Sequence, residues 1–180
     1  MRRTIVNPVI KDTVTFLNTA RESAKKLTEI EITLLPNGGN TLHYHKTYSE
    51  TFTAIDGELG VRIGKTERRI LKPGESYTVK PMQVHAFFNP GKETIRFNVK
   101  IEPGHEGFEN TLRILYGLAE DGLTNAKSIP KSLTHTAVVL EMSDMNAPGF
   151  LTFIAPVLKW LAGRAAAKGV DKQLIARYCY

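Results

Sequence analysis

The first hundred residues are divided into short extended segments by turn residues, and this spacing constrains the fold more than any other feature. In residues 28–34 (TEIEITL) polar and apolar side chains alternate, which is the period-two pattern of a half-buried strand. Residues 36–40 (PNGGN) then break the pattern. Because the following segments are separated by only a few turn residues, the spacing predicts antiparallel hairpins and not parallel strands joined by helices.

Further strands are predicted at residues 51–55, 58–63, 68–71, 76–79, 85–88 and 94–102. In the last of these segments one face is apolar and the other is mostly charged. These seven segments lie in about the first 100 residues and predict a mainly β fold. Such strands favour an antiparallel barrel or jelly roll, because closure of the sheet removes its exposed edges.

The pattern changes after residue 104, where apolar residues recur at helical spacing until Gly122. Further helices are predicted at residues 147–167, with Pro156 as a kink or an N-terminal breaker, and at residues 171–178. These segments are too short for a core of their own. A chain of 180 residues therefore forms one compact unit. Its predicted parts are a β-barrel over residues 1–105 and a C-terminal helical extension over residues 106–180 that packs on the barrel or on a second subunit.

The charge pattern and the apolar stretches indicate which partners to expect. The formal charge is +6, but the basic residues are scattered as short pairs without interleaved aromatic residues, so no nucleic acid is expected. The longest apolar stretch, residues 149–163, is interrupted by Pro156 and Lys159. It is shorter than the ~20 residues that span a bilayer, so no membrane contact is expected. Cys179 is the only cysteine and no signal peptide follows Met1, which favours a cytoplasmic location.

Three of the five histidines fall at or beside predicted strands. Side chains two apart in an extended chain project to one face, so His43 and His45 can reach one point. Glu50 can bend back to that point from the next strand, and His85 can reach it from a later strand. Three neutral imidazoles and one carboxylate are a normal ligand set for Zn²⁺, Fe²⁺, Mn²⁺, Ni²⁺ or Cu²⁺ and leave room for water or substrate.

The sequence around these residues resembles the two motifs of the cupin superfamily. The first motif is similar to HYHKTYSETFTAIDG, in which four residues separate His45 from Glu50 and six separate Glu50 from Gly57. The second motif is similar to GESYTVKPMQVHAFFN, residues 74–89. The resemblance implies an antiparallel double-stranded β-helix, which is the jelly-roll barrel of cupins. It also implies a divalent transition metal ion inside the barrel, bound by His43, His45, Glu50 and His85.

The chain departs from the family motifs at two turns. Asn37 stands where the first motif has glycine, although the next two residues are glycines. In the second motif Lys80 replaces the usual proline and Met82 replaces the usual glycine. The second departure concerns the turn before His85 and not the ligand itself.

Alternation along the strands predicts the walls of a substrate pocket. Phe52 lies on the face of the metal ligands, as do Gln83 and Phe87, and Tyr48 is placed to overhang the site. The alternative interpretation of the two phenylalanines is ordinary barrel core. Asn89 precedes Pro-Gly and is expected to satisfy backbone groups at the strand end.

The resemblance constrains the site more than the reaction, because cupins have many functions. The first hypothesis is a metal-dependent enzyme of the dioxygenase, isomerase or lyase type acting on a small organic molecule, with no catalytic residue assigned. The alternative is a non-catalytic module that binds or senses a metal or small ligand. A third possibility, a DNA-reading helical appendage, is disfavoured because its helices lack a clustered basic face.

Two features outside the motifs complete the expectations. The apolar residues 150–161 predict a homodimer, although this segment could instead cap its own barrel. His105 and His135 lie in loop-like sequence and are interpreted as surface residues.

Overall fold

The structure, a computed structural model, describes residues 2–180, except for the side chains of Phe150 and Leu151. The strands are β1 Thr4–Asn7, β2 Asp12–Asn18, β3 Thr28–Leu34, β4 Ser49–Asp56, β5 Leu59–Ile63, β6 Glu67–Leu71, β7 Ser76–Val79, β8 His85–Phe88 and β9 Ile95–Glu102. The helices are α1 Glu106–Glu120, α2 Leu133–Met142, a 3-10 helix Gly149–Ile154, α3 Ala155–Ala167 and α4 Val170–Tyr178.

The strands form two antiparallel sheets. The larger sheet has the order β1-β2-β3-β9-β4-β7, and the smaller has the order β6-β5-β8. Strand β3 pairs with β9 along its whole length, from Thr28 opposite Ile101 to Leu34 opposite Ile95. The jelly roll with C-terminal helices that the sequence predicts is therefore confirmed.

The core lies inside the barrel, and the alternation in the sequence predicts which side chains fill it. On β3 the inward residues Ile30, Ile32 and Leu34 are 1%, 5% and 1% exposed. The inward residues of β9 are also buried: Ile95, Phe97, Val99 and Ile101. Burial of each such side chain contributes about 1.5–3 kcal/mol, so these two strands supply much of the driving force for closing the barrel.

The sequence analysis missed β1, β2 and α2. Strands β1 and β2 extend the larger sheet beyond β3 and bury Ile5, Val14 and Phe16 against it. Helix α2 contains several β-branched residues, which weaken a helical pattern. It begins after Ser132, whose hydroxyl accepts a hydrogen bond from the backbone of His135. His135 is thus half-buried on a helix, and its assignment to a loop was wrong.

The helices pack on the barrel through α1. Phe108 and Tyr116 belong to the barrel core, while Ile114 and Leu118 belong to a second core formed with α2, α3 and α4. Helix α1 packs in both cores. The division of the chain into a barrel that ends at residue 105 and a helical extension that begins at residue 106 therefore stays a prediction. Pro156 lies in the first turn of α3, where proline is tolerated, so it acts as an N-terminal breaker. Among residues 2–180, no helix has both the length and the hydropathy that a membrane span requires.

Candidate metal centre

The four predicted ligands converge inside the barrel. His43 and His45 lie between β3 and β4, Glu50 lies in β4, and His85 begins β8. One potential ligand atom from each residue lies within 4.8 Å of the others. The four residues are 5%, 3%, 5% and 0% exposed, respectively, so the cluster is shielded from bulk solvent.

Backbone hydrogen bonds hold the two histidine-bearing segments together. His43 N donates to His85 O at 3.0 Å, and His85 N donates to His43 O at 2.8 Å. Met82 N donates to His45 O at 2.7 Å, so the turn before β8 is also tied to the first segment. The relative positions of the three imidazoles are therefore set by the main chain.

The two departures from the family motifs both fall on left-handed backbone. Asn37 has a φ of +64° and Met82 has a φ of +68°, a region that glycine adopts without steric cost. Asparagine tolerates this region better than most residues, whereas methionine pays a steric penalty. The turns are thus kept although the glycines are replaced.

Backbone carbonyls determine which nitrogen of each imidazole carries hydrogen. The Nδ1 atoms face the carbonyls of Thr41 for His43, Asp144 for His45 and Gln83 for His85, at 2.8, 3.1 and 3.0 Å. A carbonyl can only accept, so each Nδ1 must donate a hydrogen. In a neutral ring the remaining nitrogen, Nε2, then presents its lone pair, which is the state that binds a metal ion.

The Nε2 atoms of two histidines meet the carboxylate of Glu50. His85 Nε2 lies 2.5 Å from Glu50 Oε2, the distance of a short hydrogen bond with a proton between the two atoms. His45 Nε2 lies 3.6 Å from the same oxygen and, among the described residues, has no hydrogen-bond partner although it is buried. A buried polar atom without a partner lowers the stability of the fold unless another group binds it.

The size of the cluster also fits an ion. Metal bonds of ~2.1 Å place opposite ligands about 4.2 Å apart. The 4.8 Å span of the cluster is close to this value. The residues present therefore fit a divalent transition metal ion, with nitrogen and oxygen donors that suit several metals.

Electrostatics favour the protonation states that metal binding requires at His43, His45 and Glu50. At His85 burial acts to lower the pKa, but the hydrogen bond and the charge of Glu50 raise it. Burial lowers the pKa of His43 to about 4, and the neighbouring His85 acts in the same direction. Burial also lowers the pKa of His45. Burial acts to raise the pKa of Glu50, but the His85 hydrogen bond and the three imidazoles lower it to about 2. At neutral pH, His43 and His45 are thus neutral while Glu50 is anionic.

The loop after α2 holds His45 from the helical side of the molecule. Asp144 Oδ2 accepts hydrogen bonds from the backbone N–H groups of Lys46 at 2.6 Å and Thr47 at 2.9 Å, and from the Thr47 hydroxyl at 2.9 Å. The carbonyl of the same residue accepts from His45 Nδ1. The sequence analysis missed Asp144, because it lies 99 residues from His45 and outside both motifs.

Tyr48 connects His45 to the same loop. Its ring stacks on the imidazole with centroids 4.4 Å apart and an interplanar angle of 25°. Its hydroxyl donates to Ser143 O at 2.8 Å and lies 2.6 Å from His45 Nδ1, from which it accepts. Tyr48 is 1% exposed, and burial, helped by the charge of Glu50, raises its pKa. Contact between Tyr48 and a substrate stays a prediction.

The other predicted pocket residues lie around His85. The Phe52 ring lies 6.0 Å from the imidazole of His85 and 6.0 Å from the ring of Phe87, which forms an aromatic wall. The Gln83 amide donates to the hydroxyl of Tyr77 at 2.9 Å. Whether these side chains contact a substrate stays a prediction.

Two polar residues near the site have structural roles. Asn89 Nδ2 donates to the carbonyls of Leu34 at 3.1 Å and Glu93 at 2.8 Å, which confirms that it satisfies backbone groups. His105 is half-buried as the N-cap of α1, and its Nδ1 accepts from Phe108 N at 2.9 Å. The surface-loop interpretation of His105 was wrong, because the helix starts before the apolar pattern does.

Comparison with known proteins identifies the barrel. Residues 30–104 match the family model described as Cupin domain. The chain is similar to a predicted oxalate decarboxylase from Thermotoga maritima, with 18% identity, coverage of 56% of this chain and 90% of that chain, and a TM-score of 0.50. It is also similar to an RmlC-like cupin from Shewanella frigidimarina, with 19% identity, coverage of 58% and 86%, and a TM-score of 0.47. A comparison with curated proteins finds no match.

A third similar structure is a conserved protein with a double-stranded β-helix domain from Klebsiella pneumoniae. It shares 26% identity, with coverage of 50% of this chain and 75% of that chain and a TM-score of 0.45. At 18% identity and a TM-score of 0.50, the Thermotoga maritima structure bears on the fold alone, and no conclusion is drawn from the other two. The family match is more informative, because it spans β4 to β9 and all four residues of the cluster. Residues 30–104 therefore form a cupin domain.

Proposed function

We propose that the barrel binds one divalent transition metal ion through His43, His45, Glu50 and His85, and that the protein is a metal-dependent enzyme acting on a small organic molecule. The observation that carries the proposal is the buried, unpartnered Nε2 of His45, which faces the Glu50 carboxylate at 3.6 Å. Zinc, iron, manganese, nickel and copper all accept this ligand set. A bound ion would supply Lewis-acid or oxygen-activating chemistry.

The surroundings of the cluster favour chemistry that needs no separate general base. The Tyr48 hydroxyl adjoins His45, but it donates to Ser143 O and its pKa is raised by burial, so it does not act as a base at neutral pH. The aromatic rings of Phe52 and Phe87 beside the site carry no group that could act as a base. This composition favours dioxygenase chemistry over isomerase or lyase chemistry, and burial of the ligands favours a small substrate.

Turnover by metal-loaded protein tests the enzyme proposal. The assay measures oxygen consumption and product formation across small carboxylates, phenols and diketones, with Glu50→Gln as the nearly isosteric variant. We expect turnover in the wild type and a loss of about 100-fold or more in the variant, since one ligand charge is removed. A fully loaded wild type without turnover would leave metal binding intact and reject the enzyme.

A second candidate, a metal-sensing module, is favoured by the link between His45 and the loop after α2. Metal binding at His45 would restrain Asp144 and, through it, the helical part of the chain. Hydrogen exchange of residues 143–147 should then slow when metal is added. Unchanged exchange at full metal occupancy would speak against sensing through this loop.

A further inference from the structure

A cleft of about 670 Å³ lies outside the barrel, between the N-terminal hairpin, α1 and the end of α4. Four arginines line it: Arg2, Arg3, Arg21 and Arg113. Three glutamates also line it, and Arg2 pairs with Glu120 outside the lining, so the other three arginines face three glutamates. None of the four predicted metal ligands is among its described lining residues.

Arg113 is the buried cation of this cleft. It is 3% exposed, and its guanidinium stacks on the Phe16 ring with Cζ 3.7 Å from the ring centroid. The ring fixes the plane of the guanidinium but offers no oxygen acceptor. Among the described residues, Nε and Nη1 have no hydrogen-bond partner. Burial lowers the pKa of Arg113, yet a guanidinium stays protonated throughout the physiological range.

Glu109 balances part of this charge without satisfying the N–H donors. Its Oε2 lies 4.0 Å from Arg113 Nη1, which is longer than a hydrogen bond. Its Oε1 accepts from Ala20 N at 2.6 Å and from the Thr28 hydroxyl at 2.5 Å. The barrel therefore holds this carboxylate away from the guanidinium, so among the described residues Nε and Nη1 of Arg113 stay without a hydrogen-bond partner.

The remaining charges differ in their availability. Arg3 forms an ion pair with Glu22, so these two lining residues neutralise each other. Arg21 is exposed and borders the same cleft as Arg113. Ile175, which is half-buried, gives the cleft an apolar wall. A buried cation at Arg113, a second cation at the rim and an apolar wall are features that suit a small organic acid better than a bare inorganic ion.

We infer that this cleft is a second binding site, separate from the metal cluster, for a small organic carboxylate. The carboxylate pairs with the planar guanidinium of Arg113, a cation suited to carboxylate recognition. Arg21 adds charge at the rim, and the apolar part of the acid packs on Ile175. The volume of the cleft, about 670 Å³, is sufficient for such a molecule.

Calorimetric titration of the full chain with benzoate tests this site, with inorganic phosphate as the second probe. We expect saturable benzoate binding that Arg21→Gln weakens about tenfold and that Arg113→Lys, which removes the planar fork, weakens further. The His43→Ala/His85→Ala variant should bind benzoate like the wild type, because the cleft does not use the metal cluster. Circular dichroism establishes that each variant is folded, and if Arg113→Lys unfolds, Arg21→Gln decides.

Three outcomes would overturn the proposal. If benzoate does not saturate the wild type, or if it binds Arg21→Gln as tightly as the wild type, the cleft is not a benzoate site. Saturation by phosphate alone shows an inorganic anion site in place of an organic acid site. Benzoate binding that disappears in His43→Ala/His85→Ala places the acid on the metal and not in the cleft.

Discussion

At the scale of single residues, the orientation of the imidazoles decides whether the barrel can bind a metal ion. Each Nδ1 of the three clustered histidines faces a backbone carbonyl, so the tautomer is set by the main chain. A carbonyl, unlike a carboxylate side chain, cannot rotate away without moving the backbone. The three imidazoles are therefore held in one orientation by the main chain.

Replacement of Met82 by glycine should stabilise the protein. Met82 has a φ of +68° and is 60% exposed, so its side chain adds steric cost and little packing. Relief of the left-handed penalty outweighs the entropy that glycine gains in the unfolded chain, and we expect a gain of about 0.5–1 kcal/mol in the free energy of unfolding. Urea denaturation measures it, with Met82→Ala as the control that keeps the penalty. Equal stability of the two variants would contradict this account.

The carboxyl of Glu22 should make stability depend on acid pH. The Arg3 hydrogen bond, followed by hydrogen bonds from Thr19, lowers the pKa of Glu22 from 4.5 to about 2. Because the folded pKa is the lower one, the stabilisation is complete above pH 4.5 and is lost as the pH falls towards 2. The stability difference between the wild type and Glu22→Gln should therefore shrink over this interval. Glu50 titrates in the same way in both proteins, so its contribution cancels in the stability difference. A constant difference in urea denaturation at each pH would refute the prediction.

At the scale of elements, the loop between α2 and the 3-10 helix is the main link between the helices and the cluster. It supplies the Asp144 carboxylate to the loop before β4 and also carries the carbonyl that faces His45. Tyr44 and Asn146 extend this link by exchanging two backbone hydrogen bonds, at 2.9 and 3.0 Å. The helical part of the chain thus helps to position a ligand of the barrel.

Asp144→Ala should weaken metal binding without unfolding the barrel. The variant loses three hydrogen bonds to the segment that carries His45, so this ligand becomes less ordered. We expect a 10- to 100-fold weaker affinity for the metal, measured by competition with a chelator. This loss is typical when a hydrogen-bond partner that orients a metal ligand is removed. Asp121→Ala is the matched control, because Asp121 pairs with Arg177 at the far end of α1. Equal affinities in the two variants would show that the loop does not position the ligand.

Local patterns in the sequence predict the elements and the cluster, but not the contacts that support the cluster. The alternation in β3 predicts its bounds and its buried face, and the spacing of the two motifs predicts which four residues converge. Strands β1 and β2 lie ahead of the motifs and were missed. Asp144 and Ser143 act through folding of the helical part onto the barrel, which no periodicity in the sequence reports.

At the scale of the whole molecule, α3 presents apolar side chains to solvent. Val157 and Trp160 are both 61% exposed, while the side chains of Phe150 and Leu151 lie outside the described residues. Exposed apolar side chains on one helix often mark a surface that binds another protein. The homodimer and the cytoplasmic location both stay predictions.

Light scattering at micromolar concentration tests the homodimer. We expect the mass of two chains for the wild type and the mass of one chain for Trp160→Glu, because burial of a charge in an apolar interface is costly. Leu133→Glu is the matched control, since Leu133 is 62% exposed on α2 and lies outside this surface. A wild type with the mass of one chain would rule out a stable dimer.

Elemental analysis of protein purified without a histidine tag tests directly whether the barrel holds a metal ion. The wild type should contain close to one transition metal ion per chain, and His43→Ala/His85→Ala should contain none because two of the four ligands are removed. His135→Ala, which changes a histidine on α2, should keep the metal. A wild type that is free of metal and cannot be loaded with zinc, iron, manganese, nickel or copper would contradict the proposed metal centre.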